Sequence, residues 1–153
     1  MSSLVQGNGD DHPEAAHKHL LDAKALLGQQ RPDGAAYLSG YVVECALKSL
    51  WLHELHGQGP VPAGPSPWRG NQGHDLNYLH RHVGQLAVVA GARTARYLGQ
   101  ATNAVGTSVI GAWNPVMRYR PPEMTSADAQ NWYAVADQVF GETIAKMRLD
   151  GVL

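Results

Sequence analysis

At 153 residues the chain has the length of one domain and can bury one core. An apolar fraction of 44% against 16% charged residues excludes a disordered chain. The formal net charge of −1 leaves no overall basic field, which excludes a general DNA-coating protein. Any nucleic-acid contact has to come from a local cluster of Lys and Arg. Cys45 is the single cysteine, so there is no internal disulfide framework. It sits in an apolar run, where a free thiol acts as a small hydrophobe. No run of eighteen apolar residues occurs, so no membrane-spanning segment is expected, and Met1 to Asp11 lacks an apolar stretch of the signal-peptide kind. The expected compartment is the cytoplasm.

Residues 1–11 read as a flexible tail and residues 12–153 as one helical domain. Pro13, just after Asp11 and His12, suits the first turn of a helix. Ala16, Leu20, Ala23 and Leu27 then form one apolar stripe, which Gly28 ends. The longest helical signal runs from about Ala35 to His56. It is apolar on nearly every face: Leu38, Val42 and Cys45 on one stripe, Val43, Leu47 and Leu50 on a second, Tyr37, Tyr41, Trp51 and Leu55 on a third. A helix apolar all round is a central, buried one. Glu44 and Lys48 are the exceptions in its middle, at i and i+4 with Glu first. Buried charges need partners, so these two are expected to pair with each other or with another segment.

Gly57 to Gly73, with Pro60, Pro62, Pro65 and Pro67, reads as a long loop. Asp75 is the expected N-cap of a third helix carrying Leu76, Leu79, Val83, Leu86 and Ala90 at heptad-like spacing. A fourth helix is expected from Arg93 to about Ile110, with Leu98, Ala101, Val105 and Val109 inward, although Gly99, Gly106 and Gly111 weaken it. Prolines at both ends of Trp113 to Pro122 bar regular helix there. Thr125 or Ser126 caps a last helix, with Asp128 complementing its dipole and Trp132, Ala136, Val139, Thr143 and Met147 facing inward. No strand-like alternation competes. The sum is an all-α bundle of four to five helices with one long Gly/Pro-rich connection between the second and third.

The order of these segments carries a resemblance. The run Ala35-Ala36-Tyr37-Leu38-Ser39-Gly40-Tyr41-Val42-Val43-Glu44-Cys45-Ala46-Leu47-Lys48 is similar to the second-helix signature of the HEPN family, in which a Glu is followed by Leu-Lys. Gly73-His74-Asp75-Leu76-Asn77-Tyr78-Leu79 looks like the family's His-x-Leu element, which opens its third helix. Arg118-Tyr119 resembles its Arg-Tyr-Pro element, with Arg120 inserted before Pro121. The resemblance covers roughly His12 to Gly151. It implies a helical bundle, usually a homodimer. Many members are metal-independent RNases of toxin–antitoxin or defence systems; others bind nucleotides or act as noncatalytic partners of a nucleotidyltransferase.

Catalytic members of that family use an Arg and a His separated by four to six intervening residues, brought together from two protomers. The His can move the proton of a ribose 2′-hydroxyl while the Arg stabilises charge on the phosphate. The one match here is Arg69-Gly70-Asn71-Gln72-Gly73-His74. With eight Arg and eight His in the chain, about one such match arises by chance, so a helix-opening His beside a solvated loop Arg stands as the alternative. Arg118 and Tyr119 are binding candidates on their own chemistry: a guanidinium fork grips phosphate and a ring stacks on a base, with Arg120 adding charge. The alternative is that Arg118 pairs with Glu44 or another acid and Tyr119 packs on the bundle. A third arrangement joins them, with Glu44, Lys48, Arg118 and His74 lining one groove and Lys48 also contacting ligand.

No metal set assembles. His53 and His56 flank Glu54 one residue short of the zincin spacing, and the pairs His17/His19 and His80/His82 do not share a helix face. No Walker loop or dinucleotide fingerprint occurs, so no cofactor is expected. The four tryptophans read as core and interface anchors. The expected partners are a second copy of the chain, RNA or a nucleotide, and a nucleotidyltransferase-type protein; a membrane is not among them.

Overall fold

The computed structural model describes residues 1–68 and 70–153. Four long helical stretches form an all-helical bundle: α1 (His12–Gly28), α2 (Pro32–His56), α3 (Leu76–Ala87) and a last stretch in which α5 (Ser126–Phe140) passes through a π-helical turn (Gly141–Ala145) into α6 (Lys146–Leu149). A short α4 (Gln100–Asn103) lies between α3 and α5. Among the described residues the one β-type pairing is an isolated bridge between Gln6 and Val61. No described helix is long and apolar enough to cross a membrane.

The caps follow from side-chain chemistry. Asp11 caps α1 by accepting from the Glu14 amide, and Asp75 caps α3 by accepting from the Tyr78 amide at 3.0 Å. Thr125 and Asp128 form a reciprocal capping box at the start of α5. α2 starts one turn earlier than expected, at Pro32, since proline is pre-organised for the first helical position.

α2 is the central helix, packing against α1, α3 and α5. Sixteen of its 25 residues are buried, including Glu44 and Lys48. Leu4, Leu47, Leu50, Leu52, Leu76, Leu79, Ile144 and Met147 are among the fully buried side chains around it. The expected inward stripe of the last helix, Trp132, Ala136, Val139, Thr143 and Met147, is buried throughout. Residues 2–6, read as part of a tail, lie against the bundle: Leu4 is fully buried, and Ser3 Oγ donates to the Val152 carbonyl at 2.7 Å.

The expected fourth helix from Arg93 to Ile110 does not form. That stretch is broken into 3₁₀ turns at Ala95–Tyr97, Val105–Thr107 and Val109–Ala112, with α4 between the first two. Backbone at Gly99 and Ser108 is extended, which interrupts any i to i−4 ladder. Two carboxylates reward the broken path by capping it. Glu54 accepts from the Thr94 amide at 2.8 Å and its hydroxyl at 2.7 Å. Glu142, presented by the π turn, accepts from the amides of Ala101 and Thr102 at 2.9 and 2.7 Å. Val105 points inward as expected, whereas Val109 is 53% exposed.

Candidate functional site

The middle of α2 holds a charged trio. Glu44 is 3% exposed, and its two carboxylate oxygens go to different partners. Oε1 accepts from Lys48 Nζ at 2.7 Å, one helical turn on, and Oε2 accepts from His74 Nδ1 at 2.9 Å. His74 ends a 3₁₀ turn (Gly70–His74) that leads into α3. Gly73 lets that turn approach closely: a Cβ there would fall 2.5 Å from Trp68 Cδ1.

Lys48 is sealed from above. Its ammonium lies 4.9 Å from the centre of the Trp68 ring, and Trp68 in turn packs edge-on to His12 and Trp51. Lys48 was expected to contact ligand as well; it is instead 5% exposed and committed to Glu44. Its part is to neutralise and orient the carboxylate. His12 beside it is pushed down to about 4 by burial, with the Lys48 charge adding to the effect. In that neutral state its Nε2 accepts from Gln6 Nε2 at 3.0 Å. The neighbouring Cys45 thiol is pushed up to about 12 by burial and by the Glu44 charge, which leaves it unreactive.

His74 is different. Its side chain is 45% exposed and lines a cleft of about 550 Å³ together with Asn71, Gln72, Asp75, Trp113 and Asn114. A buried carboxylate on Nδ1 fixes the tautomer and ring orientation and leaves Nε2 as the nitrogen with no hydrogen-bond partner among the described residues. Such an imidazole is set to exchange a proton with a bound group.

Trp113 forms the far wall. Its Nε1 donates to the Tyr37 carbonyl at 3.0 Å, and it packs edge-on to Tyr41 with ring centres 4.8 Å apart. The indole lies flat on α2 at Gly40, where a Cβ would come within 2.0 Å of it. Beyond it the chain makes a 3₁₀ turn, Pro115–Tyr119, capped by Asn114, whose Oδ1 accepts from the Val116 amide at 2.8 Å.

Arg118 and Tyr119 end that turn and Arg120 follows it; Arg118 and Arg120 line a second, smaller pocket of about 210 Å³ together with Asp33, Tyr37, Met117 and Glu123. The Arg118 guanidinium is 4.7 Å from the centre of the Tyr119 ring, and Tyr119 is 74% exposed. Arg118 does not pair with Glu44, whose oxygens are both taken. Of the four residues that could have lined one groove, three come together and Arg118 stays apart. Arg69 lies outside the described residues.

Sequence reasoning found Glu44, Lys48 and His74 but missed Gln6, His12, Trp68 and Trp113 around them. Their signal was weak because Gln6, Trp68 and Trp113 come from stretches whose path no periodicity constrains, and His12 sits at the very first position of α1. One signal was present: Tyr37, Tyr41, Glu44, Lys48, Trp51 and Leu55 alternate at spacings of four and three, a single seam along α2. A seam that mixes charges with rings needs polar and aromatic cover. No protein-family model, curated protein or solved structure matches this chain.

Proposed function

We propose that this is a HEPN-like domain that engages RNA or a nucleotide in the cleft over His74, in the setting of a toxin–antitoxin or defence system. The observation that carries the reading is the hydrogen bond from His74 Nδ1 to the buried Glu44 carboxylate, at the wall of an open cleft lined by both polar and apolar residues. A half-exposed His in that arrangement is suited to metal-independent RNA cleavage. Nε2 takes the proton of a 2′-hydroxyl, the 2′-oxygen attacks the adjacent phosphorus to form a cyclic phosphate, the P–O5′ bond breaks with the 5′-oxygen taking a proton from water, and the imidazolium returns its proton to solvent. Glu44 stabilises the imidazolium that forms, and Lys48, 2.7 Å away, holds Glu44 in place.

A second reading has one observation in its favour. No Lys or Arg lines the cleft among the described residues, so the cation that would stabilise a phosphorane there is not supplied from the described part of one chain. That favours a noncatalytic dimeric module that binds a nucleotidyltransferase-type partner, or a dimer in which the second copy completes the site.

Incubating purified protein with single-stranded and structured RNA in EDTA separates the two. Cleavage by the wild type, lost in His74→Ala and kept in His53→Ala near the end of α2, supports the first reading. No cleavage and no RNA binding by folded wild-type protein removes it. Light scattering at micromolar concentration reports whether the chain dimerises.

A further inference from the structure

The Pro115–Tyr119 turn is a wall common to two pockets. Pro115 and Val116 line the His74 cleft, while Met117 and Arg118 line the smaller pocket on the other side. We propose that the Arg118–Tyr119–Arg120 corner is a second subsite for the same strand, so that the ligand is single-stranded RNA lying across this turn rather than a free mononucleotide. The inference rests on the functional reading above and goes further by naming the form of the substrate.

Size argues for a strand. Pockets that enclose a whole small ligand run from about 300 Å³ upward. The His74 cleft, at about 550 Å³, can hold a nucleotide; the second pocket, at about 210 Å³, can hold a phosphate and little more. A base attached to a phosphate in the smaller pocket would have to lie outside it. Tyr119, between Arg118 and Arg120 in the chain, is outside the pocket lining and leaves its ring 74% exposed.

The chemistry of the corner agrees. Arg118 has no carboxylate partner among the described residues: its neighbours are the Tyr119 ring and the Tyr37 and Tyr119 hydroxyls, which push its pKa still higher. Arg120 is only loosely engaged, 3.8 Å from Glu123. Two acidic residues line the pocket: Glu123 faces Arg120, and Asp33 is occupied, its Oδ1 accepting from the amides of Glu123 and Met124 at 2.9 and 3.1 Å. That leaves the Arg118 guanidinium, with the loosely held Arg120 beside it, for phosphate and the exposed Tyr119 ring for a base, the combination that single-strand binders use without reading sequence.

The turn itself makes the two pockets parts of one track. In a 3₁₀ helix side chains at i and i+3 eclipse, so Val116 at the cleft and Tyr119 at the corner share a face. Both are exposed, at 52% and 74%. Five residues at a 2.0 Å rise make the turn roughly 10 Å long, a span that a strand crosses while filling both pockets.

The test is a length series. Binding of fluorescently labelled single-stranded RNA hexamer, dinucleotide and mononucleotide is measured for the wild type, Arg118→Ala, Tyr119→Ala, Tyr119→Phe and His74→Ala, with circular dichroism verifying each fold. The hexamer is expected to bind at least tenfold more tightly than the mononucleotide. Tyr119→Ala is expected to weaken hexamer binding about five- to a hundredfold and Tyr119→Phe to restore it. Arg118→Ala is expected to reduce the slope of log affinity against log salt by about 0.7. Equal affinity for hexamer and mononucleotide overturns the inference. Hexamer binding that needs His74 but ignores Arg118 and Tyr119 also overturns it while leaving the His74 cleft as the ligand site. No hexamer binding by folded wild-type protein overturns both together.

Discussion

Glu44 and His74, thirty residues apart in the chain, are joined by a 2.9 Å hydrogen bond from Nδ1 to Oε2, and the same carboxylate takes Lys48 on its other oxygen. One buried charge therefore ties the central helix to the turn that opens α3. Breaking one partner of a buried ion pair leaves an uncompensated charge, which costs roughly 3–5 kcal/mol. Glu44→Gln is expected to destabilise the fold by about that much in urea unfolding, and Glu44→Gln combined with Lys48→Met is expected to recover most of it. A loss below about 1 kcal/mol in the single variant would show that the pair is solvated.

Gly40 is where Trp113 meets α2. Alanine normally stabilises a helix interior by about 1 kcal/mol relative to glycine. Here the added Cβ would come within 2.0 Å of the indole, so Gly40→Ala is expected to lower stability by about 1–3 kcal/mol instead. Because Trp113 walls the His74 cleft, the same variant is expected to weaken RNA binding, and near-ultraviolet circular dichroism reports whether the indole has moved. A gain in stability would mean that the tryptophan does not pack there.

Acid is expected to unfold the protein earlier than its carboxylates alone require. His12 has a folded-state value of about 4, below its ordinary value of 6.5, because burial and the Lys48 charge oppose protonation. The unfolded chain thus binds the proton more readily between those values, and stability falls as the pH drops from about 6.5 to 4. The loss from His12 alone is up to about 3 kcal/mol. Burial lowers His19, His53 and His80 in the same direction. Unfolding free energies measured from pH 7 to pH 4.5 should fall, and His12→Asn should flatten the slope. A flat profile in the wild type contradicts this.

The broken stretch after α3 hangs on two carboxylates, Glu54 and Glu142. Glu142→Ala orphans the amides of Ala101 and Thr102 and the Thr102 hydroxyl, each a group that costs about 1–3 kcal/mol when buried without a partner. The expected loss is about 2–3 kcal/mol, with hydrogen exchange rising first at residues 99–104. Unchanged exchange there would mean that water replaces the carboxylate.

The helical bundle was legible because α1, α2, α3 and the last helix each carry a strong apolar period or a capping residue, as Ala16-Leu20-Ala23 and Asp75 do. The pairing of Glu44 with Lys48 was legible for a related reason, since two charges at i and i+4 in an apolar helix have few other partners. The stretch from Arg93 to Ile110 was misread because its apolar spacing fits a helix while Gly99 and Ser108 extend the backbone, and the acids that stabilise the breaks lie about forty residues away. Trp68 and Trp113 escaped for the same reason: what places them is close approach to Gly73 and Gly40, a tertiary fact with no local pattern.

The most direct test follows the His74 ring itself. In NMR spectra of protein with labelled histidine, titration with single-stranded RNA in EDTA is expected to shift the His74 Cε1 and Nε2 resonances in proportion to binding while those of the buried His53 stay in place. RNA that binds without moving His74, or that moves both histidines alike, would contradict a ligand site in the cleft lined by His74.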